Sequence, residues 1–447
     1  MHLTRPDKKS DIMYLLRSGT LHAVLLFVTL FFSCSDVGET GGERITLTYW
    51  SAANQYEIDL AAAIVDEWNG RHPEIEVKHQ PIPEGSSSEE IVLASVVGKT
   101  TPDVFSNMWP GDIELYAQAD ALVPLDHFVD YDSFAASRYS PGILQESLAN
   151  DGRCYHILWK TNPIMMAYNK KWLSRAGFDH PPETYEEFLN MGETITADTD
   201  GDGYTDRWMG ITQILVTWWQ RFFDYYTLYI AASGGKTLVE NGVIDFDNNT
   251  SVAVFRFLQT VFSRGYFPRE RMDARSDAFL HSIVATRFVG PWEVVHAEKF
   301  KPEGFEYDFA PVPRPEGCSG PVYTYGDYKS IVLFKNSRHP EEAWRFAKHL
   351  VSRANDLKLL EMTNQLPLRK GLTQDTLFIP YFERNPMMER FARQAQYCRG
   401  TDYSPVLKEI FDAISQEFEA SVIYGLKPPE EAVRRAAERA RLISDQL

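Results

Sequence analysis

The stretch from Ile45 to Phe105 constrains this chain most, because it alternates strand and helix patterns in a way that a parallel α/β layer accommodates. Ile45 to Trp50 is β-branched and alternating, hence a strand. Asp59 to Trp68 carries apolar residues at helical spacing (Leu60, Ala63, Ile64, Trp68), and Asn69, Gly70 and Pro73 end it. Ile75–Val77 begins a second strand, Ser88–Val97 reads as a helix closed by Gly98, and Asp103–Phe105 is a third strand. In such sheets, ligands sit beyond the carboxyl ends of strands, where loops enter helices. That places Trp50, Ser51 and Asn54, and then Trp109 and Asp112, at a functional edge.

A chain of 447 residues exceeds one ordinary core and predicts two domains. Its 44% hydrophobic and 24% charged content is that of a globular protein. Aromatics reach 13%, most of which a large core absorbs. The net charge of −17, with no basic stripe, argues against nucleic acid as partner. Four cysteines, widely spaced and without a C-x-x-C pair, exclude a disulfide framework and a thiolate metal site.

The N-terminus is a separate object. Arg5, Lys8, Lys9 and Arg17 precede the apolar run Leu21–Phe32 and then Ser33 and Cys34, the pattern of an export signal. The run is shorter than the roughly 20 residues a membrane-spanning helix needs. A small residue followed by cysteine resembles a bacterial lipobox, with Phe31 in place of the usual Leu. Cleavage would leave residues 1–33 as signal peptide, a lipid on Cys34 and a tether over 34–44. Met13 is an alternative start.

Further on, Tyr155–Asn162 reads as a strand, Lys170–Ala176 as a helix stopped by Gly177, and Thr184 with Glu187 as a capping box. Trp218–Ile230 reads as one aromatic-rich helix; Phe255–Phe262, Pro340–Leu350 and Pro405–Glu419 are further amphipathic ones.

Six segments then occur in a telling order: Thr101–Val104 with Ala121–Leu125; Ala167–Lys170, Ala176–Gly177 and Pro182–Phe188; Phe288–Trp292; Ala310–Pro313; Ala343–Phe346; and Leu366–Arg369. Together they resemble the extracellular solute-binding proteins for sugars, the maltose-binding-protein-like group, over nearly all of 45–440. The resemblance implies a two-lobed α/β fold of the type II periplasmic-binding-protein kind. Three interlobe crossovers would fall near Leu158–Asn162, Ala310–Val312 and Val351–Ala354. One lobe would comprise 45–160 plus 312–353, the other 161–311 plus 354–447. It also implies capture of a carbohydrate by hinge closure, delivery to the permease of an ABC-type importer, and an extracytoplasmic, lipid-anchored monomer.

Sugars offer C–H faces to aromatic rings and hydroxyl edges to planar polar groups. Trp50, Trp109, Trp292 and Tyr325 stand at loop positions, with Ser51, Asn54, Asp112, Glu293 and Asp327 close by in sequence. Trp292 follows the Gly-Pro motif where the family places a stacking ring. Trp159 and the Trp218–Trp219 pair are further candidates, and Lys160 and Arg369 could meet an acidic sugar. Separately, Asp198, Asp200, Asp202 and Asp206 occupy positions 1, 3, 5 and 9 of a calcium-type loop, with Gly203 at 6 and the Tyr204 carbonyl at 7. Met209 stands where such loops carry a bidentate Glu. The expectation is a structural calcium ion and no organic cofactor.

Paired carboxylates across a sugar cleft would make a glycosidase, but no G-x-S-x-G or H-E-x-x-H motif occurs, so no enzyme is expected. A polyol phosphate, peptide or polyamine ligand, or a sensing lipoprotein, are the competing readings.

Overall fold

The computed structural model describes residues 44–82, 88–240, 242–272, 277–400, 402 and 404–446. The signal, the Cys34 lipid site and the tether lie outside the described residues, apart from Arg44. Among the described residues, no helix is long and apolar enough to cross a membrane.

Two main sheets are built from β1 (Ile45–Ser51), β2 (Ile75–Pro81), β3 (Val104–Met108), β4 (His156–Thr161), β5 (Met165–Asn169), β6 (Trp208–Ile211), β7 (Val284–Val289), β8 (Tyr307–Ala310), β9 (Lys329–Leu333) and β10 (Leu366–Pro367). The first has the order β10-β4-β9-β3-β1-β2 and the second β8-β5-β7-β6. β1 pairs in parallel with β2 and β3, and β6 with β7, as strand–helix alternation requires. β9 runs antiparallel to β3 and β4 because the chain re-enters the first sheet from the other lobe.

Each sheet has its own apolar core. Leu47, Tyr49, Val104 and Ile331 meet Leu60, Ile64, Trp68 and Trp344 in the first lobe. In the second, Met166 and Ala285 meet Phe188, Tyr225, Phe255 and Phe411. The local signals hold where packing does not compete with them. Asn54 caps helix Gln55–Arg71 by accepting from the Glu57 N–H, and Thr184 and Glu187 form the capping box of helix Tyr185–Ile195. Helices Ser88–Gly98 and Pro340–Leu350 stand where their periodicity places them.

Three expectations are corrected. The single helix over Trp218–Ile230 is two elements, a short 3-10 turn at Trp218–Phe222 and an α-helix at Tyr225–Ser233. The break comes from a buried ion pair, Arg221 with Asp224 at 2.9 Å, and from the Asp224 side chain accepting from the Tyr225 N–H. The second crossover lies later than Ala310–Val312. Arg314 still bridges to Thr184, Thr324 Oγ1 donates to the Ile164 carbonyl, and Tyr325 sits in the second-lobe core, so the passage falls at Gly326–Asp327. The third also lies beyond Val351–Ala354. Helix Arg353–Thr363 packs on helix Gln55–Arg71, β10 pairs with β4, and the Lys370 N–H still donates to the Arg138 carbonyl.

The first two passages meet. Asn162 donates its backbone N–H to the Gly326 carbonyl at 2.5 Å, and its Nδ2 reaches Gln365 Oε1 at 3.2 Å and Asp327 Oδ2 at 3.5 Å. Gln365 Nε2 donates in turn to Glu57 Oε1 at 2.9 Å. One hydrogen-bonded chain therefore joins the first two connections and ties them to Gln365 and Glu57 of the first lobe.

Candidate functional site

β6 and β7 end side by side, and a pocket of about 510 Å³ opens above Ile211 and Val289. Its walls are aromatic. Trp292 meets Phe223 edge-on at 6.1 Å, and Trp219, 44% exposed, meets Phe223 edge-on at 6.4 Å. The Trp292 ring lies over Gly290, where an added Cβ would stand 2.2–2.7 Å from ring atoms. Gly290 therefore lets the ring lie against the backbone at the mouth of the pocket.

The polar side of the pocket is a closed charge network. Arg287 reaches both oxygens of Asp277, at 3.1 and 3.0 Å, and pairs with Glu293. Asp277 also takes a hydrogen bond from His296 Nε2 at 2.9 Å. Burial alone would raise the Asp277 pKa, but Arg287, the Leu280 N–H and His296 more than offset it and hold it below the usual carboxylate range. Glu293 is more deeply buried, and burial keeps its pKa raised despite Arg287. Arg287 Nε is buried and has no acceptor among the described residues.

The other predicted residues fall into three groups. Trp109, from the loop after β3, stacks obliquely on Trp218 at 5.1 Å and edge-on to Phe222 at 5.5 Å; Tyr325 lies against Phe222 at 4.8 Å. These rings join the lobes beside the pocket, but Trp109 and Tyr325 are buried. Asp112 follows Trp109, and its pKa is pushed up to about 7 by burial, with Glu89 and Glu409 adding to the effect and Lys329 and Lys408 opposing it.

A second group serves the scaffold. Ser51 is buried against His79 at 2.8 Å, Asn54 is the helix cap, Trp50 is partly buried against the first-lobe core, and Trp159 lies wholly inside it. The third group holds the cations. Lys160 is buried against Glu57 at 2.6 Å, Lys329 pairs with Asp327 at 2.9 Å, and Arg369 is bound to Asp356 at 2.8 Å. Lys160 and Arg369 are thus not free to meet an acidic sugar, which corrects that expectation: their carboxylate partners lie far along the chain or on another helix. Phe223, Asp277 and Arg287 were missed. An arginine inside the apolar strand Val284–Val289 was the available signal.

In the acidic loop, Asp198, Asp200 and Asp206 each bring an oxygen within 4.8 Å of the others. Asp198 accepts from the N–H groups of Gly201 and Gly203, at 2.6 and 2.8 Å, and both glycines need their positive φ of +81° and +90° for that turn. Asp202 stands apart from the cluster; its carboxylate accepts from the Tyr204 N–H at 2.8 Å.

A family profile described as bacterial extracellular solute-binding protein matches residues 63–389. A putative binding protein of Brucella abortus (strain 2308) is 22% identical over 428 residues, covering 94% of this chain and 96% of its own. The sn-glycerol-3-phosphate-binding periplasmic protein UgpB of Rhizobium meliloti (strain 1021) is 21% identical over 417 residues, covering 88% and 92%. Among solved structures, the sugar-binding protein MalE of Xanthomonas citri superposes with a TM-score of 0.74 at 19% identity, over 90% of this chain and 98% of that one. At that identity the likeness establishes the two-lobed fold.

Proposed function

Because the chain belongs to the bacterial extracellular solute-binding proteins, we propose that it captures a neutral carbohydrate between its lobes for an ABC-type importer. One observation carries the ligand class. Trp219, Phe223 and Trp292 offer flat apolar faces beside Arg287, whose charge is already met by Asp277 and Glu293. Such a site favours stacked C–H faces and hydroxyl edges. A phosphate ester, the ligand in the name of the Rhizobium relative, needs a cation with charge to spare. Of the charged side chains that line the pocket, Arg287 is paired to carboxylates, and Glu270 and Arg271 bring one charge of each sign.

A thermal-shift screen tests this reading. Neutral mono-, di- and oligosaccharides are expected to raise the unfolding temperature by mass action on the folded state, and the Trp292→Ala variant to lose most of that shift. A shift with glycerol 3-phosphate and with no neutral sugar, lost in Trp292→Ala, would replace the carbohydrate reading.

Two further features belong to the same reading. A lipid on Cys34, followed by the polar tether, would hold the domain at the outer face of the membrane, within reach of a permease. The Asp198 loop would hold a structural calcium ion, for which Asp198, Asp200 and Asp206 supply three hard oxygens of the roughly six to eight that calcium takes. None of these aspartates lines the aromatic pocket, so the ion's role is one of stability. Adding EGTA to the calcium-loaded protein is then expected to lower the unfolding temperature, and the Asp198→Asn variant to lose that response. An unchanged temperature with chelator would mean a bare acidic turn.

A further inference from the structure

A larger cavity, about 790 Å³, lies at the crossovers and shares no lining residue with the aromatic pocket. Its walls come from both lobes. Thr161 and Pro367 belong to the first sheet, whereas Arg393 stands on helix Pro386–Gln394, whose Met388 and Phe391 pack with Phe309 of the second.

Its charge is opposite to that of the molecule. In a chain of net charge −17, Arg369, Lys370, Arg393 and Arg399 all line this cavity, against one lining carboxylate, Glu389. Glu389 is taken by Arg393 at 2.6 Å. Behind the wall, Asp356 Oδ2 is shared by two guanidinium groups, Arg138 at 2.7 Å and Arg369 at 2.8 Å, so a single carboxylate meets two positive charges. Arg353 and Asp375 nearby neutralise each other. Among the described residues, the remaining two cations find only neutral partners. Lys370 donates to the Ala136 carbonyl, and Arg399 donates to its neighbour's carbonyl at 2.8 Å while lying 4.6 Å over the Tyr323 ring. Cations gathered without counter-charge in a concave site repel one another, and a bound anion relieves that repulsion. Guanidinium groups moreover match the geometry of oxyanions.

We propose that this cavity is a second ligand site, distinct from the sugar pocket, for a small molecule bearing a phosphate, sulfate or carboxylate group. Arg399 and Lys370 bind the oxyanion, and Arg369 adds field from the wall. The inference does not rest on the carbohydrate reading, since it concerns other residues and another charge class.

The test is calorimetric titration of the full chain with inorganic phosphate, sulfate and citrate, each against sodium chloride of equal ionic strength. Saturable binding of at least one oxyanion is expected. The Lys370→Gln/Arg399→Gln double variant should bind it at least about tenfold more weakly, since hydrogen bonds to charged groups are lost. The same variant should keep its far-ultraviolet circular dichroism and its unfolding midpoint, which separates loss of binding from loss of fold. Trp292→Ala should bind the oxyanion like the parent. Equal heats for chloride and oxyanions, or unchanged oxyanion affinity in the folded double variant, would overturn the proposal. Loss of binding in Trp292→Ala would move the anion to the aromatic pocket and overturn it as well.

Discussion

Replacing Asp356 with alanine is expected to destabilise the protein by about 3–5 kcal/mol, the range found when one partner of a buried ion pair is removed. Asp356 is fully buried, as is Arg138, and Arg369 is only 12% exposed. Without the carboxylate, the Arg138 guanidinium stays where water cannot reach and that of Arg369 is left with only slight exposure. Arg138 would keep its bonds to the Val351 and Trp159 carbonyls, but those carry no charge. Asp356→Asn preserves the shape and part of the hydrogen bonding, so it should fall between the two. Urea unfolding followed by circular dichroism measures both. A loss below about 1 kcal/mol for the alanine variant, the scale of an exposed pair, would mean that the cluster is solvated and that its position in the core counts for little.

The second large effect concerns binding. Trp292→Ala should weaken capture of the best sugar from the screen by about 1–3 kcal/mol, taking the per-ring stacking scale measured for bases. That corresponds to roughly five- to 150-fold in dissociation constant. Gly290→Ala is an independent route to the same result, because its methyl group would push the Trp292 ring off the backbone. Stability should change little in Trp292→Ala, whose ring is only partly buried. Parental affinity in both variants, read by calorimetry, would place the ligand away from the β7 end.

The sequence disclosed most of what local forces decide. The capping box at Thr184, the helix of Pro340–Leu350 and the first three strands follow from short-range periodicity and end signals, and they stand where those signals put them. The resemblance brought Trp292 to attention, and Trp219 joins it in one pocket. What stayed hidden depends on partners distant in sequence. Lys160 reads as a cation until Glu57, 103 residues earlier, is seen to neutralise it. Arg287 reads as an oddity in an apolar strand until Asp277 and Glu293 close around it. The crossover positions were misplaced for a related reason. Motifs mark where segments fall along the chain, whereas a two-residue strand such as Leu366–Pro367 is held in the first sheet by β4 alone. Trp218–Ile230 failed for a local reason masked by its apolar character, since Asp224 caps a new helix in its middle.

The hydrogen-bonded chain through Asn162, Gln365 and Asp327 has a mechanical consequence. Unlinked connections would let the lobes shear and twist as well as open. With two of them laced at one line, they would act as the pin of a door hinge, which leaves one soft rotation and stiffens the others. A body with a single soft coordinate loses little freedom when it shuts on its cargo. A shut form reached along one coordinate would offer a membrane partner one shape to recognise.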